Sequence, residues 1–244
     1  MSEAQLVQYA VEDGIAVITI DNPPVNALGA GVREGIIDGI AKGNADPEVT
    51  ALVIIGAGKN FLAGADIRQL GTKRSVTTRT SAAALHASEK PGVAAISVYA
   101  LVSGFEHALA CHYRIAATNA KVGLPEVTLG IIPGGGGTQR LTRLVGPQAA
   151  IDMIVSGRQV GAAEAQRIGI LNAILSDDDF RAAAVRYAKT IASARPLPRV
   201  RDMRDQIAPA QANPDILAGV RKTVAAKARQ LTAPRHAGTC VEAA

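Results

Sequence analysis

Short apolar runs typical of β-strands alternate with helical patterns along most of this chain. Helical segments, including one over 81–90 and one that begins at Pro147, stand between strand-like runs at residues 15–21, 50–58, 93–100, 114–117 and 171–175. Strands that alternate with helices favour a layered α/β domain over a helix bundle or a β-sandwich. Only 3% of the residues are aromatic. The fold class is therefore predicted to be α/β, with a core packed by Ala, Val, Ile and Leu.

The amino-terminal part predicts a β-hairpin. Two alternating apolar segments, 6–11 and 15–21, stand on either side of the pair Asp13-Gly14. An Asp-Gly pair favours the tight turn whose twist matches that of two antiparallel strands. We therefore expect these two segments to pair with each other.

The carboxyl-terminal part changes from this alternation to helices. From Ser176 onward, helical patterns are separated by a link rich in Pro and Arg. We expect an α/β core over residues 1–194 and a helical segment over residues 195–244.

Charge and hydropathy exclude two classes of partner. The net charge is +5, but no aromatic residue follows Tyr187 in the basic region between Arg195 and Arg235, so bases have no stacking platform there. Nucleic-acid binding is not expected, whereas a basic surface suits a phosphorylated small molecule. The central uncharged stretch 91–105 contains Pro, Gly and Ser and is too short for a membrane span. No membrane contact is expected either.

The chain is expected to be cytoplasmic. Its two cysteines, Cys111 and Cys240, do not make a disulfide framework, and a reducing compartment is the default for such a chain. The first residues lack the basic and apolar regions of a secretory signal peptide.

Glycine and histidine motifs argue against nucleotide, metal and acyl-enzyme chemistry. Segment 56–61 lacks the third glycine of a dinucleotide-binding turn, and 133–138 lacks the Lys-Ser/Thr of a phosphate-binding loop. The glycines of 133–138 are interpreted instead as a close backbone approach and a turn into a helix. His107 and His112 are five positions apart, with no Cys/His cluster beside them, so no metal site is expected. Ser103 lacks the spacing of a nucleophile elbow.

Two glutamates, Glu106 and Glu126, stand in sequence that carries almost no other charge. Glu106 lies in the first turn of a predicted helix, and Glu126 lies between Pro125 and an apolar run. A helix amino terminus favours an ionised carboxylate, whereas apolar neighbours favour a protonated one. The pair is therefore predicted to act as base and acid on a small molecule.

Three segments occur in an order that resembles the enoyl-CoA hydratase/isomerase family, also called the crotonase family. They are FLAGADI (61–67), ALVSGFE (100–106) and GLPEVTLGIIPGGGGTQRL (123–141). The resemblance extends from about Ile15 to Leu175 and looks closest to the hydratase part of bacterial multifunctional fatty-acid oxidation enzymes. It implies a spiral of ββα units with a helical carboxyl-terminal appendage. It also implies a trimer or hexamer that binds acyl-CoA thioesters and needs neither metal nor redox cofactor.

The resemblance assigns site residues motif by motif. Glu106 matches the carboxylate that deprotonates water, and Glu126 matches the one that delivers a proton to the α-carbon. The backbone N–H groups of Ala65 and Ser103 match an oxyanion hole. Further expected contacts with substrate or coenzyme A are Ala63, Gly64, Asp66, Ile67 and Gly104. The implied activity is hydration of a trans-2-enoyl-CoA, a lyase reaction of fatty-acid β-oxidation.

The chain departs from the family pattern in two places. The family usually has three glycines where this chain has Val102-Ser103-Gly104, and added Cβ atoms restrict the backbone or crowd the thioester. The helical region that ends at Ala244 is shorter than usual for the family, which predicts exposed apolar surface and self-association. Two alternatives stay open: another crotonase-type reaction (isomerisation, dehydration or hydrolysis), and an acyl-CoA-binding protein with impaired catalysis.

Two local expectations concern the site. Segment 71–82 is polar and aperiodic, so we expect a mobile surface segment whose Lys73, Arg74 and Arg79 meet the phosphates of coenzyme A. Ser103 to Glu106 also has the S-x-x-E pattern of a capping box, in which the Glu106 carboxylate accepts from the Ser103 N–H. That bond would occupy both the proposed base and the proposed oxyanion donor. We therefore expect an open arrangement, with the carboxylate facing Glu126.

Overall fold

Two β-sheets form the frame of the molecule. The fold is given by a computed structural model, which describes residues 6–64, 66, 76–176, 178–228 and 231–244. The strands in these ranges are β1 Val7–Glu12, β2 Ile15–Ile20, β3 Ala51–Gly56, β4 Gly92–Ile96, β5 Tyr99–Leu101, β6 Tyr113–Ala117, β7 Lys121–Gly123, β8 Val160–Gly161 and β9 Ala173–Leu175. The larger sheet has the order β1-β2-β3-β4-β6-β9 and the smaller one β5-β7-β8. In the larger sheet β1 and β2 are antiparallel, and the other neighbours are parallel.

Helices follow the strands through most of the chain. They are α1 Val32–Ala45, α2 Thr78–Ala87, α3 Ser103–Ala110, α4 Gly137–Val145, α5 Pro147–Ser156, α6 Ala162–Arg167, α7 Phe180–Thr190, α8 Ala208–Ala212, α9 Pro214–Ala228 and α10 Thr232–Glu242, with 3-10 helices Pro125–Leu129 and Val200–Asp202. The predicted α/β class is confirmed.

The larger sheet is buried on both faces. Ile18 and Ile54 belong to one apolar cluster, whereas Val17 and Val53 belong to a second cluster together with Val185 of α7. Successive residues of a strand point to opposite faces, so β2 and β3 are apolar at nearly every position, with Thr19 as the polar exception in β2. This explains why parallel strands read as continuous apolar runs rather than as alternating ones.

The predicted hairpin is confirmed. β1 and β2 pair with Glu12 opposite Ile15. Asp13 and Gly14 form the turn with φ of 52° and 76°. Both values lie in the left-handed region, which Asp tolerates and Gly adopts without strain.

The strand predicted over 93–100 is in fact two strands in different sheets. β4 ends at Ile96, and β5 begins at Tyr99 beside the short strand β7, which the sequence pattern did not reveal. Between them the Ser97 hydroxyl donates to the Lys59 carbonyl at 2.9 Å. The chain changes sheet because its two halves pair with different partners, and an uninterrupted apolar run does not encode that change.

Segment 61–64 lies beside the end of β5. The Leu62 N–H donates to the Tyr99 carbonyl at 3.3 Å, and the Leu101 N–H donates to the Leu62 carbonyl at 3.2 Å. These two bonds bring residues 62–64 next to Val102, where α3 begins. Two of the three family motifs are thereby placed side by side.

Helix α2 begins earlier than predicted. The sequence predicted a helix over 81–90, but α2 begins at Thr78 because the Thr77 hydroxyl caps it by accepting from the Thr80 N–H at 3.1 Å. The part of the expected mobile segment from residue 78 onward is therefore helical. Residues 71–75, which include Lys73 and Arg74, lie outside the described residues.

The carboxyl-terminal helices cover α4 and α5. Val220 of α9 and Ala237 and Val241 of α10 are buried in the main apolar cluster. The Gln139 side chain also donates to the Cys240 carbonyl at 2.6 Å. The helical character expected after Ser176 is confirmed, whereas a division at residue 194 stays a prediction.

Candidate functional site

A cleft of ≈ 390 Å³ opens where four segments meet. It is lined by Thr77, Thr78, Arg79, Val102, Ser103, Glu126, Ile131, Ile132, Gly134 and Gly135. The lining thus combines the start of α2, the start of α3, the 3-10 helix around Glu126 and residues 133–137, here called the glycine segment, which lead into α4. It is a different cavity from the larger one of ≈ 550 Å³ between α5 and α8. Only the smaller cleft contains candidate catalytic groups.

The Glu106 carboxylate is held by backbone N–H groups of the glycine segment. Glu106 is 1% exposed. Its Oε1 accepts from the Gly135 N–H at 2.7 Å and from the Gly137 N–H at 2.8 Å. Two N–H donors on one carboxylate oxygen favour its ionised form.

A side chain at either donor position would press against the Glu106 carboxylate. A Cβ at Gly135 would lie 2.5 Å from Glu106 Oε2, and one at Gly137 would lie 3.0 Å from Oε1. The expected close backbone approach at 133–138 is confirmed, and what it approaches is the Glu106 carboxylate. The sequence marked the glycine cluster but did not indicate that it binds Glu106.

Glu126 has the opposite surroundings. It lies in the 3-10 helix Pro125–Leu129, is 2% exposed, and neither of its carboxylate oxygens has a hydrogen-bond partner among the described residues. Burial raises its pKa to about 8, with a smaller contribution from the charge of Glu106. The expected desolvation of Glu126 is confirmed, and the carboxyl group holds a proton at neutral pH.

Burial also raises the pKa of Glu106, but cations and donors oppose the rise. The Gly137 and Gly135 N–H groups lower it, followed by the charges of Arg140 and Arg79. From the sequence, the helix amino terminus is the only feature that favours the ionised form of Glu106. In the structure the glycine N–H groups supply the stabilisation, and we regard Glu106 as the member of the pair that ionises first.

The capping box does not form. α3 begins at Ser103 with Val102 as its N-cap, and the Glu106 N–H donates to the Val102 carbonyl at 3.1 Å. The Glu106 carboxylate is occupied by Gly135 and Gly137, so the Ser103 N–H is not bound by it. The first N–H groups of a helix have no acceptor within it, which leaves Ser103, 7% exposed, facing the cleft. The expected absence of the Ser103–Glu106 box is therefore observed, whereas a Glu106 carboxylate that faces Glu126 stays a prediction.

Val102 has a backbone conformation normally reserved for glycine. Its φ is 54° and its ψ is −129°, which is a genuine outlier for a β-branched residue. Its Cβ and Cγ2 lie 3.5 and 3.6 Å from where a Cβ of Gly64 would be. The side chain that replaces the usual glycine therefore stands over the strand-like segment 61–64, at the wall of the cleft.

The remaining predicted residues have different outcomes. Gly64 is buried next to Val102, and Ala63 and Asp66 are half-buried. Gly104 has a packing role, because a Cβ there would lie 2.0 Å from the Leu62 carbonyl oxygen. Ala65 and Ile67 lie outside the described residues, so their roles stay predictions.

His107 is a buried residue that sequence reasoning did not place at the site. Its Nδ1–H donates to the Ser103 carbonyl at 2.7 Å, so its Nε2 accepts from the Ser81 hydroxyl at 2.8 Å. Burial lowers its pKa to about 4. The neutral ring ties the first turn of α3 to α2. No sequence signal identified Ser81 as its partner.

Neither a metal-binding cluster nor a membrane-spanning helix is found among the described residues. No group of three or more His, Cys, Asp and Glu side chains there could hold a metal ion. In the same part of the chain, every helix is too short or too polar to span a bilayer.

Comparisons with known proteins agree with the motifs. The chain matches the family described as Enoyl-CoA hydratase/isomerase over residues 10–223. It is 50% identical over 165 residues to a peroxisomal bifunctional enzyme of Danio rerio, which covers 67% of this chain and 23% of the relative. It is 44% identical over 189 residues to the peroxisomal bifunctional enzyme of Homo sapiens, which covers 77% of this chain and 26% of the relative. A crystal structure of an enoyl-CoA hydratase from Bacillus anthracis superimposes with a TM-score of 0.73 at 28% identity, covering 98% of this chain and 88% of that one.

The expectation of a cytoplasmic location is wrong. Both curated relatives are named as peroxisomal enzymes, which contradicts that expectation. A low cysteine content distinguishes reducing from oxidising compartments only, and organelle addresses are short signals read by receptors. The chain spans 23% and 26% of the length of these two relatives.

The family match covers most of the chain, and the fold agrees with that of a solved hydratase. The resemblance seen in the three motifs and the crotonase fold that it implied are therefore confirmed. The chain belongs to the enoyl-CoA hydratase/isomerase family.

Proposed function

We propose that this chain catalyses the hydration of a trans-2-enoyl-CoA thioester. The observation that carries the proposal is a buried pair of carboxyl groups: Glu126 lines the cleft, and Glu106 accepts from Gly135, which also lines it. Glu106 accepts two backbone N–H groups, whereas Glu126 has no partner among the described residues and a pKa of about 8. One is suited to accept a proton and the other to donate one near neutral pH. The family match and the solved hydratase support the same reaction.

The proposed reaction uses each carboxyl group once. Glu106 takes a proton from water while the water oxygen bonds to C3 of the enoyl group. The π electrons of the C2–C3 double bond move towards the thioester oxygen, and Glu126 gives its proton to C2. The product is a 3-hydroxyacyl-CoA, and the proton on Glu106 returns to Glu126 before the next turnover. Adding water changes no net oxidation state, so this reaction requires no redox cofactor.

The proposed oxyanion hole consists of the N–H groups of Ser103 and Ala65. Negative charge on the thioester oxygen is largest in the enolate-like transition state, so donors aimed at that oxygen lower the barrier. Removal of one such donor typically costs about 10²–10³ in rate. The placement of Ser103 at the first turn of α3 and at the cleft supports this role.

Substitution of either glutamate tests the proposal. We expect Glu106→Gln and Glu126→Gln each to lower turnover by at least about 10²-fold, because each removes a proton-transfer group. Loss of the conjugated thioester absorbance, followed across acyl chain lengths, measures the hydration rate. Acyl-CoA affinity, measured by calorimetry, should be largely unchanged.

Glu164→Gln is the matched control, since Glu164 lies on α6 and pairs with Arg158 at 2.9 Å, away from the cleft. It should retain wild-type turnover. Near-wild-type activity of Glu106→Gln or Glu126→Gln would contradict the mechanism with two carboxyl groups.

An acyl-CoA-binding protein with impaired catalysis is the alternative that a specific observation favours. Val102 fills space beside the proposed oxyanion hole in a conformation strained for valine. Tight acyl-CoA binding by a folded preparation that shows no hydration, together with activity gained by Ser103→Gly or Val102→Gly, would establish this alternative. Another crotonase-type reaction, such as double-bond isomerisation, would appear as conversion of 3-enoyl-CoA without hydration.

A further inference from the structure

The Arg140 side chain packs against the glycine segment that binds the Glu106 carboxylate. It lies on α4 and is 9% exposed. Its Nη1–H donates to the Gly135 carbonyl at 2.8 Å. A Cβ at Gly136 would lie 2.5 Å from Nη1, so the guanidinium lies directly against the Gly136 backbone. The φ of 105° at Gly136 also lies in the region that favours glycine.

Along the chain, the peptide unit that accepts from Arg140 lies between the two peptide units that donate to Glu106. The peptide units that end in Gly135 and Gly137 each donate an N–H to the Glu106 carboxylate. The peptide unit between them carries the Gly135 carbonyl, which accepts from Arg140. Glycine segments have wide conformational freedom. Anchoring the middle unit therefore fixes the orientation of both donors.

The charge of Arg140 acts on the same carboxylate. It lowers the pKa of Glu106, and the charge of Glu106 raises the pKa of Arg140. Among the described residues no direct ion pair joins the two side chains: Nη1 of Arg140 donates to the Gly135 carbonyl, and its Nε has no hydrogen-bond partner there. The other charged or titratable groups that face Glu106 are Arg79 from α2 and Glu126 from the 3-10 helix. His107, on α3 itself, is neutral above a pKa of about 4.

We propose that Arg140 is a positioning residue for the base Glu106: it holds the middle peptide of the glycine segment so that both N–H donors face the carboxylate, and its charge keeps that carboxylate ionised. This inference rests on the proposed hydration. Arg140 itself does not touch the reacting atoms. Replacement of the Arg140 side chain leaves the cleft and Glu126 in place. It lets the two glycine N–H donors move and lets Glu106 retain a proton.

The test compares three variants of the full chain. Arg140→Gln removes the charge, Arg140→Lys retains it without the planar fork, and Arg143→Gln is the control. Arg143 is on the same helix and is half-buried, but it reaches the Met203 carbonyl at 3.5 Å rather than the glycine segment. Thermal unfolding and acyl-CoA binding establish that each variant is folded.

We expect Arg140→Gln to lower kcat at least about tenfold with little change in KM, since small displacements of a catalytic group cost up to about 10²-fold. The acidic limb of its kcat–pH profile should move to higher pH, because Glu106 then ionises at higher pH. Arg140→Lys should lose rate but keep its acidic limb close to that of wild type. Arg143→Gln should match wild type in both respects. A folded Arg140→Gln variant with an unmoved acidic limb overturns the proposal. If Arg140→Gln does not fold, a folded Arg140→Lys variant that keeps the wild-type kcat overturns the positioning role.

A readout independent of turnover separates this inference from the hydration proposal. The pKa of Glu106 can be measured by NMR of ¹³C-labelled glutamate, with Glu106→Gln to assign the signal. A higher pKa of Glu106 in Arg140→Gln supports the inference even if no enoyl-CoA is hydrated. An unchanged pKa overturns it even if wild type is an active hydratase.

Discussion

Glu106 and Glu126 show how two identical side chains acquire different chemistry from their neighbours. Both are buried, but only Glu106 is met by N–H donors. Raising the pKa of Glu126 from 4.5 to about 8 corresponds to roughly 5 kcal/mol between its two protonation states. Because the native state keeps this proton while the unfolded chain releases it, the contribution of Glu126 to stability falls as the pH rises from 4.5 to about 8.

The two carboxyl groups are also predicted to be coupled. The charge of Glu106 is the second cause of the raised pKa of Glu126, so Glu106→Gln should lower the pKa of Glu126 below about 8. NMR titration of ¹³C-labelled glutamate measures this directly. Glu164→Gln, on α6, should leave the pKa of Glu126 as it is. An unchanged pKa in Glu106→Gln would mean that burial alone raises it.

Val102 is predicted to reduce stability. Its left-handed φ stores about 1–3 kcal/mol of strain, whereas the entropic cost of glycine is about 0.5–1 kcal/mol. Val102→Gly should therefore raise the free energy of unfolding by about 1 kcal/mol, as measured by urea denaturation. The control is Val98→Gly, a half-buried valine outside the strands and without positive φ, which should lose stability. A similar loss in both variants would show that Val102 is not strained.

At the scale of elements, the site depends on how α2, α3 and α4 are joined. α3 places Ser103 and Glu106 one turn apart, and α4 begins in the glycine segment that binds Glu106. His107 links α3 to α2 through Ser81. Glu106 is thus fixed by a contact outside its own helix, whereas Glu126 has no hydrogen-bond partner among the described residues.

The buried histidines predict acid sensitivity. Burial lowers the pKa values of His107 and His112 to about 4 from 6.5. Below pH 6.5 the unfolded chain binds protons that the native state does not, so the free energy of unfolding should fall as the pH decreases from 6.5 towards 4. Each histidine contributes up to about 1.4 kcal/mol per pH unit.

Urea denaturation at a series of pH values measures this slope. His107→Gln should remove the contribution of His107 to the slope of unfolding free energy against pH. His236→Gln, at an exposed position of α10, should leave that slope unchanged. If stability stayed constant from pH 6.5 to 4, the neutral state of both buried rings would be disproved.

At the scale of the whole molecule, we predict self-association. Leu129 and Ile131 are 64% and 41% exposed next to the cleft, and clustered exposed apolar residues often mark an interface. Sedimentation velocity at micromolar concentration should show an oligomer, of which the trimer implied by the family pattern is one form. Leu129→Ser combined with Ile131→Ser should shift the population towards monomer, whereas Val11→Ser on β1 should not. A clean monomer of the unaltered chain would count against the prediction.

Much of the frame could be predicted from the sequence because it depends on local patterns. The hairpin at Asp13-Gly14, the buried strand β3 and the helix that begins at Pro147 follow from turn chemistry, apolar runs and capping preferences. The change of sheet between β4 and β5 could not be predicted, since pairing partners distant in sequence decide it.

The sequence by itself determined the family, the α/β class and the two glutamates, because these follow from motifs and from residues that stand out against an uncharged background. Only the tertiary structure decided what surrounds those glutamates. It brought Gly135, Gly137 and Arg140 to Glu106 across about thirty residues of chain and left Glu126 without a partner among the described residues. A pKa depends on burial and on neighbours within a few ångströms, and those distances exist only once the chain has folded.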